Sequence, residues 1–123
     1  GNTVVGALAA FTLKDSNSTV AIGASSLSSL TNGNENTAIG TSALARVVKG
    51  ATNTALGANA GENIVRGSGN VYIGNQAGPS TSTVQNSKLY VFLCWNACQL
   101  KLLKKKARSG FKNLMVLDTR LFD

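Results

Sequence analysis

The sequence predicts an all-β protein, a parallel β-solenoid (β-roll) of five 17-residue coils associated as a trimer and followed by a short C-terminal appendage. Three observations predict it. Gly6, Gly23, Gly40, Gly57 and Gly74 recur every 17 residues without a slip, a large aliphatic residue precedes each of them, and Gly, Ala, Ser, Thr and Asn dominate while charged residues make up 14% and aromatic ones 6%. Such a composition suits a backbone-driven repeat better than a core of bulky side chains.

The unit is defined by six aligned columns. The aliphatic column is Val5, Ile22, Ile39, Leu56 and Ile73, and one position earlier stand Val4, Ala21, Ala38, Ala55 and Tyr72. Three positions after each glycine come the small residues Ala9, Ser26, Ala43, Ala60 and Ala77; seven after come Leu13, Leu30, Val47 and Ile64, with Thr81 breaking the column. Ten after come Ser16, Gly33, Gly50 and Gly67, and four before come Asn2, Thr19, Asn36, Asn53 and Asn70.

Each column has a local physical meaning. Thr37 to Ile39 and Asn70 to Ile73 read as strands, whose successive side chains point to opposite faces, so the aliphatic column faces one way and the Ala column the other. Glycine then permits a sharp bend or a close backbone approach. The aliphatic column seven residues on marks the return strand, and the Asn and Ser/Gly columns supply turn chemistry. One coil is thus two short strands and two turns. With two buried aliphatic side chains contributing about 3 to 6 kcal/mol, against roughly 1 to 2 kcal/mol for fixing each backbone, a coil does not stand alone. Parallel stacking at about 4.8 Å per coil closes the gap and makes five coils only about 24 Å long. The Ala-rich face is expected to let neighbouring chains approach closely, which predicts a homotrimer or filament, with a closed cyclic trimer the natural form.

Around Asn36-Thr37-Ala38-Ile39-Gly40-Thr41-Ser42-Ala43-Leu44 and Asn53-Thr54-Ala55-Leu56-Gly57-Ala58-Asn59-Ala60-Gly61 the chain resembles the repeats of phage and large-virus tail-fibre proteins. More loosely it is similar to the head repeats of trimeric autotransporter adhesins. The resemblance covers residues 1 to about 91, because Gly69 to Gly78 and Asn86 to Val91 match how such arrays end. It implies a homotrimeric parallel β-roll fibre, extracellular, on a cell surface or on a virion, that presents a surface to a host receptor or glycan. Two features depart from it: the 17-residue unit is longer than the usual autotransporter head repeat, and the chain after Val91 matches neither family.

Domain organisation follows from composition: a repeat array over 1–78, a linker and last strand over 79–91, and a basic cap or appendage over 92–123. The net charge of +7 divides unevenly, since residues 1–87 carry four basic and three acidic groups and residues 88–123 carry eight and two. Lys101, Lys104, Lys105, Lys106 and Arg108 form the one candidate anion-binding cluster, for which a solvated face is the commoner explanation and nucleic acid an unfavoured partner. Residues 91–107 are expected to form a helix and Leu114 to Leu117 a short strand or helical turn, plugging the open end of the stack.

Enzyme chemistry is disfavoured. The chain has no His, the commonest general base and metal ligand, and its five acids fall in no pair or repeat-spaced array, so no catalytic residue, metal site or cofactor is predicted. Cys94 and Cys98 read as buried thiols. Asn17-Ser18-Thr19 is a glycosylation sequon that matters only in a secretory pathway. For the glycines, Asn36, Asn53 and Asn70, a structural role outweighs phosphate or sugar binding. The Thr3, Thr37, Thr54 file raises ice binding as the alternative function, beside glycan binding, but Val20 and Val71 interrupt it. No run of apolar residues is long enough to span a membrane as a helix, and no signal peptide is visible. The chain starts inside a repeat, which suggests a processed product or a piece of something longer.

Overall fold

The computed structural model describes residues 1–91 and 114–115. Among these the chain is all-β. Strands β1 (Thr3–Val5), β2 (Val20–Ile22), β3 (Thr37–Ile39) and β4 (Thr54–Leu56) come one per coil; β5 (Ile64–Arg66), β6 (Val71–Ile73), β7 (Thr83–Val84), β8 (Leu89–Val91) and β9 (Leu114–Met115) follow. Seven of them form one parallel sheet in the order β1-β2-β3-β4-β6-β8-β9, and β5 pairs with β7 in a second.

Register is what the repeat demands. Thr3 pairs with Val20, Val20 with Thr37, Thr37 with Thr54 and Thr54 with Val71, each a step of 17 residues. Beyond the array the steps lengthen: Val71 pairs with Leu89 and Leu89 with Leu114, steps of 18 (89 minus 71) and 25 (114 minus 89). Outside β5 and β7 the return side is narrower than a second strand in every coil, being reduced to single parallel bridges that join Asp15, Asn32, Lys49 and Arg66.

The five reference glycines lie in one file. A Cβ built on Gly6, Gly23, Gly40 or Gly57 would stand 2.6 to 2.7 Å from the carbonyl carbon of the glycine one coil on, closer than carbon atoms approach. The N–H of Gly40 donates to Ile22 O at 2.7 Å and that of Gly57 to Ile39 O at 2.8 Å, so the file is also a hydrogen-bonded ladder.

The faces of the strands are the reverse of the sequence expectation. Ala21, Ala38, Ala55 and Tyr72 point inward and are fully buried, whereas Val5, Ile22, Ile39, Leu56 and Ile73 point outward, with exposures from 36% at Ile39 to 57% at Val5. The Ala column is therefore core and not a surface for a neighbouring chain. The reason lies across the coil. Leu30, Val47 and Ile64 from the return side, as expected, and Leu27 and Leu44 from four residues after the glycine fill the interior. Only a methyl group fits opposite them at close-packed density.

That second set belongs to a column outside the six aligned ones, Ala10, Leu27, Leu44, Gly61 and Gly78, which ends the two repeat words at Leu44 and Gly61 but is not expected from the sequence to be core. All five have positive φ, from 46° at Ala10 to 130° at Gly78, a conformation that costs a non-glycine residue about 1 to 2 kcal/mol. Burying Leu27 and Leu44 completely offsets that cost, since a buried Leu contributes roughly 1.5 to 3 kcal/mol. In the last two coils the column turns to glycine, and there Tyr72 replaces alanine on the strand side.

Of the segment Leu114 to Leu117, expected as a short strand or helical turn, Leu114–Met115 is a strand that extends the sheet past β8. Val91, where the expected helix would begin, is instead the last residue of β8; residues 92–107 and the two cysteines lie outside the described residues.

Candidate functional site

Two structures run the length of the stack, one internal and one external. The internal one is the asparagine column. Asn36, Asn53 and Asn70 are fully buried, and their carboxamides are chained: Asn53 Nδ2 donates to Asn36 Oδ1 at 3.0 Å and Asn70 Nδ2 to Asn53 Oδ1 at 2.9 Å. Each Nδ2 also donates to a turn carbonyl, Gly50 O for Asn36, Gly67 O for Asn53 and Gln85 O for Asn70. Each Oδ1 receives a backbone N–H from the next coil, Asn53 N on Asn36 and Asn70 N on Asn53, both at 3.1 Å. In Asn36 and Asn53 both amide hydrogens and both lone pairs of the oxygen are engaged, and Asn70 Oδ1 receives the Lys88 N–H at 3.0 Å, so these buried side chains are committed to the stack. They hold the turns in register.

Thr19 interrupts that ladder. It receives no carboxamide chain, and its hydroxyl, like that of Ser16 in the neighbouring Ser/Gly column, is buried without a hydrogen-bonding partner. A Thr19→Asn substitution restores the missing rung between Asn2 and Asn36 and is expected to stabilise the fold by about 1 kcal/mol. Conversely Asn53→Ala strands Gly67 O, Asn70 N and the Asn70 amide, and is expected to cost about 2 to 3 kcal/mol. Chemical denaturation of the two variants beside the parent measures both, and opposite signs are the expected result. The Asn17 sequon shares this feature, because its Thr19 is wholly enclosed while Asn17 itself is exposed.

The external structure is the outer face of the large sheet. Residues two apart on a strand share a face, so Thr3, Val20, Thr37, Thr54 and Val71 stand beside Val5, Ile22, Ile39, Leu56 and Ile73 in two straight files. No charged side chain occurs in either file. The threonines lie outward, Thr3 and Thr54 exposed and Thr37 half-buried. Side chains recur every coil, about 4.8 Å apart along the axis, and the two files lie roughly 6 to 7 Å apart across it. The face is thus uncharged and periodic, one file aliphatic and the other of Thr and Val.

The charged residues lie elsewhere. The return-side file runs Asp15, Asn32, Lys49, Arg66, with Asn32 Nδ2 donating to Asp15 Oδ2 at 3.4 Å. Among the described residues no group of three His, Cys, Asp or Glu side chains is placed to hold a metal ion, and no helix there is long and apolar enough to cross a membrane. The cluster Lys101, Lys104, Lys105, Lys106 and Arg108 lies outside them. Comparison with protein-family models, with curated proteins and with solved structures gives no match.

Proposed function

We propose that the protein is a structural and adhesive fibre segment, a non-enzymatic rigid spacer whose chains associate side by side as a homotrimer, extracellular or on a virion, with attachment to a host receptor or glycan as its task. The observation that carries the proposal is the outward aliphatic file of Val5, Ile22, Ile39, Leu56 and Ile73, which continues unbroken along the array. Aliphatic side chains repeating at strand spacing interdigitate with a surface of the same period, and another copy of this stack has it. Closed cyclic symmetry lets every copy cover its file at once, and the likeness to tail-fibre and autotransporter repeats points to three copies. In such an assembly the return side and the turns face outward for attachment.

Mass in solution tests this. The expected result is an assembly of three times the chain mass of 12.7 kDa, and Ile39→Asp with Leu56→Asp is expected to reduce it to one chain while far-UV circular dichroism stays unchanged. Burying two carboxylates in an apolar interface is costly, whereas on a free surface they are tolerated. A parent chain that sediments as a monomer rejects side-by-side assembly.

One observation favours a second function, because Thr3, Thr37 and Thr54 stand on the outer face of the same sheet, in one file that Val20 and Val71 interrupt. Recognition of ice by that face predicts thermal hysteresis from a monomer, lost on Thr37→Asp.

A further inference from the structure

The polar ladder inside the stack has one rung of different chemistry. Positions 2, 36, 53 and 70 carry asparagine and position 19 carries threonine. On one side of Thr19, Asn2 Nδ2 donates to Ser16 O at 2.8 Å and Asn2 Oδ1 receives the Thr19 N–H at 3.0 Å. On the other, Asn36 begins the carboxamide chain that runs to Asn70.

The complete rungs define what the odd one lacks. Asn36 Oδ1 receives both the N–H and an Nδ2 hydrogen of Asn53, while Asn36 Nδ2 donates to Gly50 O. Moved back one coil, an asparagine at position 19 would bond Asn2 Oδ1, Gly33 O, the Asn36 N–H and Asn36 Nδ2. The threonine hydroxyl makes none of these bonds, and Asn36 Nδ2 turns to Gly33 O at 3.2 Å. Thr19 Oγ1 is two bonds from Cα where a carboxamide oxygen or nitrogen is three, so the side chain falls one atom short. The Asn36 N–H is thereby left without the Oδ1 that the N–H groups of Asn53 and Asn70 find.

A second hydroxyl belongs to the same rung. The Ser/Gly column lies against the asparagine column, since Asn53 Nδ2 is 3.1 Å from a Cβ built on Gly50 and Asn70 Nδ2 is 3.1 Å from one built on Gly67. Ser16 is the member of that column three residues before Thr19. Thr19 is fully buried and Ser16 is 6% exposed, and neither hydroxyl has a protein partner.

We propose that Thr19 and Ser16 hold one buried water molecule, which stands in for the carboxamide end and carries the ladder from Asn2 to Asn36. It accepts from the Asn36 N–H, donates to Asn2 Oδ1 and bonds the hydroxyls, the three or so partners of an internal water. The polarity of the site selects this ligand. The Asn36 N–H opposes a cation and Asn2 Oδ1 opposes an anion, whereas water serves a donor and an acceptor together, and each hydroxyl rotates to play either part.

A high-resolution crystal structure of the chain is expected to show a water within hydrogen-bonding distance of Thr19 Oγ1 and Asn36 N, and to show it displaced in Thr19→Asn. Stability separates a hydrated site from a dry one by its sign. A dry, unpartnered buried hydroxyl is a liability, so in a dry site Thr19→Val and Ser16→Ala would each lower the unfolding equilibrium constant. With the water bound, each variant removes one of its partners and is expected to raise that constant about threefold or more in chemical denaturation. A site without water in the crystal, or either variant at or below the parent's constant, overturns the proposal. The site is enclosed within one chain, so these readouts do not depend on how chains associate.

Discussion

Gly40→Ala is expected to cost about 3 to 5 kcal/mol, enough to unfold much of a domain of ordinary stability. Two independent penalties add. The backbone of Gly40 has φ near 133°, a region L side chains avoid, which costs roughly 1 to 3 kcal/mol for alanine. The new methyl would also stand 2.6 Å from Gly57 C and 2.5 Å from Gly57 O. These are backbone atoms of a residue tied into the stack, Gly57 N donating to Ile39 O at 2.8 Å and Gly57 O accepting from Ala60 N at 3.2 Å, so relief requires lifting one coil off another, at about 1 to 3 kcal/mol for overpacking alone. Chemical denaturation gives the number. Thr41→Ala, one residue further along at an exposed position, is the matched control and is expected to stay within about 0.5 kcal/mol of the parent. Equal stability of Gly40→Ala and the parent would mean that the glycine file is not in contact.

The columns made the architecture legible, and they made the site illegible in one respect. A 17-residue period, a glycine after each strand and an asparagine before it are local demands of stacked coils, so Gly40, Asn53 and the strand at Thr37–Ile39 could be placed without coordinates. Which strand face turns inward is a different kind of fact. Alternation says only that Ala38 and Ile39 lie on opposite faces, and a shift of one residue exchanges them. Size suggested that Ile39 is core. The space is set by Leu27 and Leu44, which belong to a left-handed column where large aliphatic residues are unexpected and where glycine, the turn signal, stands only at positions 61 and 78. Once those side chains fill the middle of the coil, Ala38 is all that fits and Ile39 is left outside, which moved the candidate association surface from the alanine file to the isoleucine file. The signal was present in reverse order: the one large inward strand residue, Tyr72, coincides with Gly61 and Gly78 in the column that otherwise holds leucine.

That coincidence carries the second large effect. Tyr72 is fully buried, its hydroxyl donates to Gln85 Oε1 at 3.4 Å, and its ring lies where side chains at 61 and 78 would be: a Cβ on Gly61 would be 2.7 Å from Tyr72 Cδ2, and one on Gly78 3.4 Å from Tyr72 Cδ1. Tyr72→Ala makes the strand side of this coil like that of the three coils with Ala21, Ala38 and Ala55 and empties the ring's volume, at an expected cost of about 3 to 5 kcal/mol. Gly61→Leu alone is also expected to destabilise, because the new side chain meets Tyr72 and Leu44 Cδ2. Together the two changes recreate the Ala38 and Leu27 pairing found earlier in the stack, and φ of 63° at position 61 is close to the 50° and 51° that Leu27 and Leu44 adopt. The double variant is therefore expected to recover at least about 2 kcal/mol relative to the sum of the single changes, a coupling within the range seen for residues sharing one cavity. Simple additivity in the denaturation cycle would show that the ring and the missing leucine do not compete for the same space, and with that the explanation of why alanine is buried and isoleucine exposed would fail.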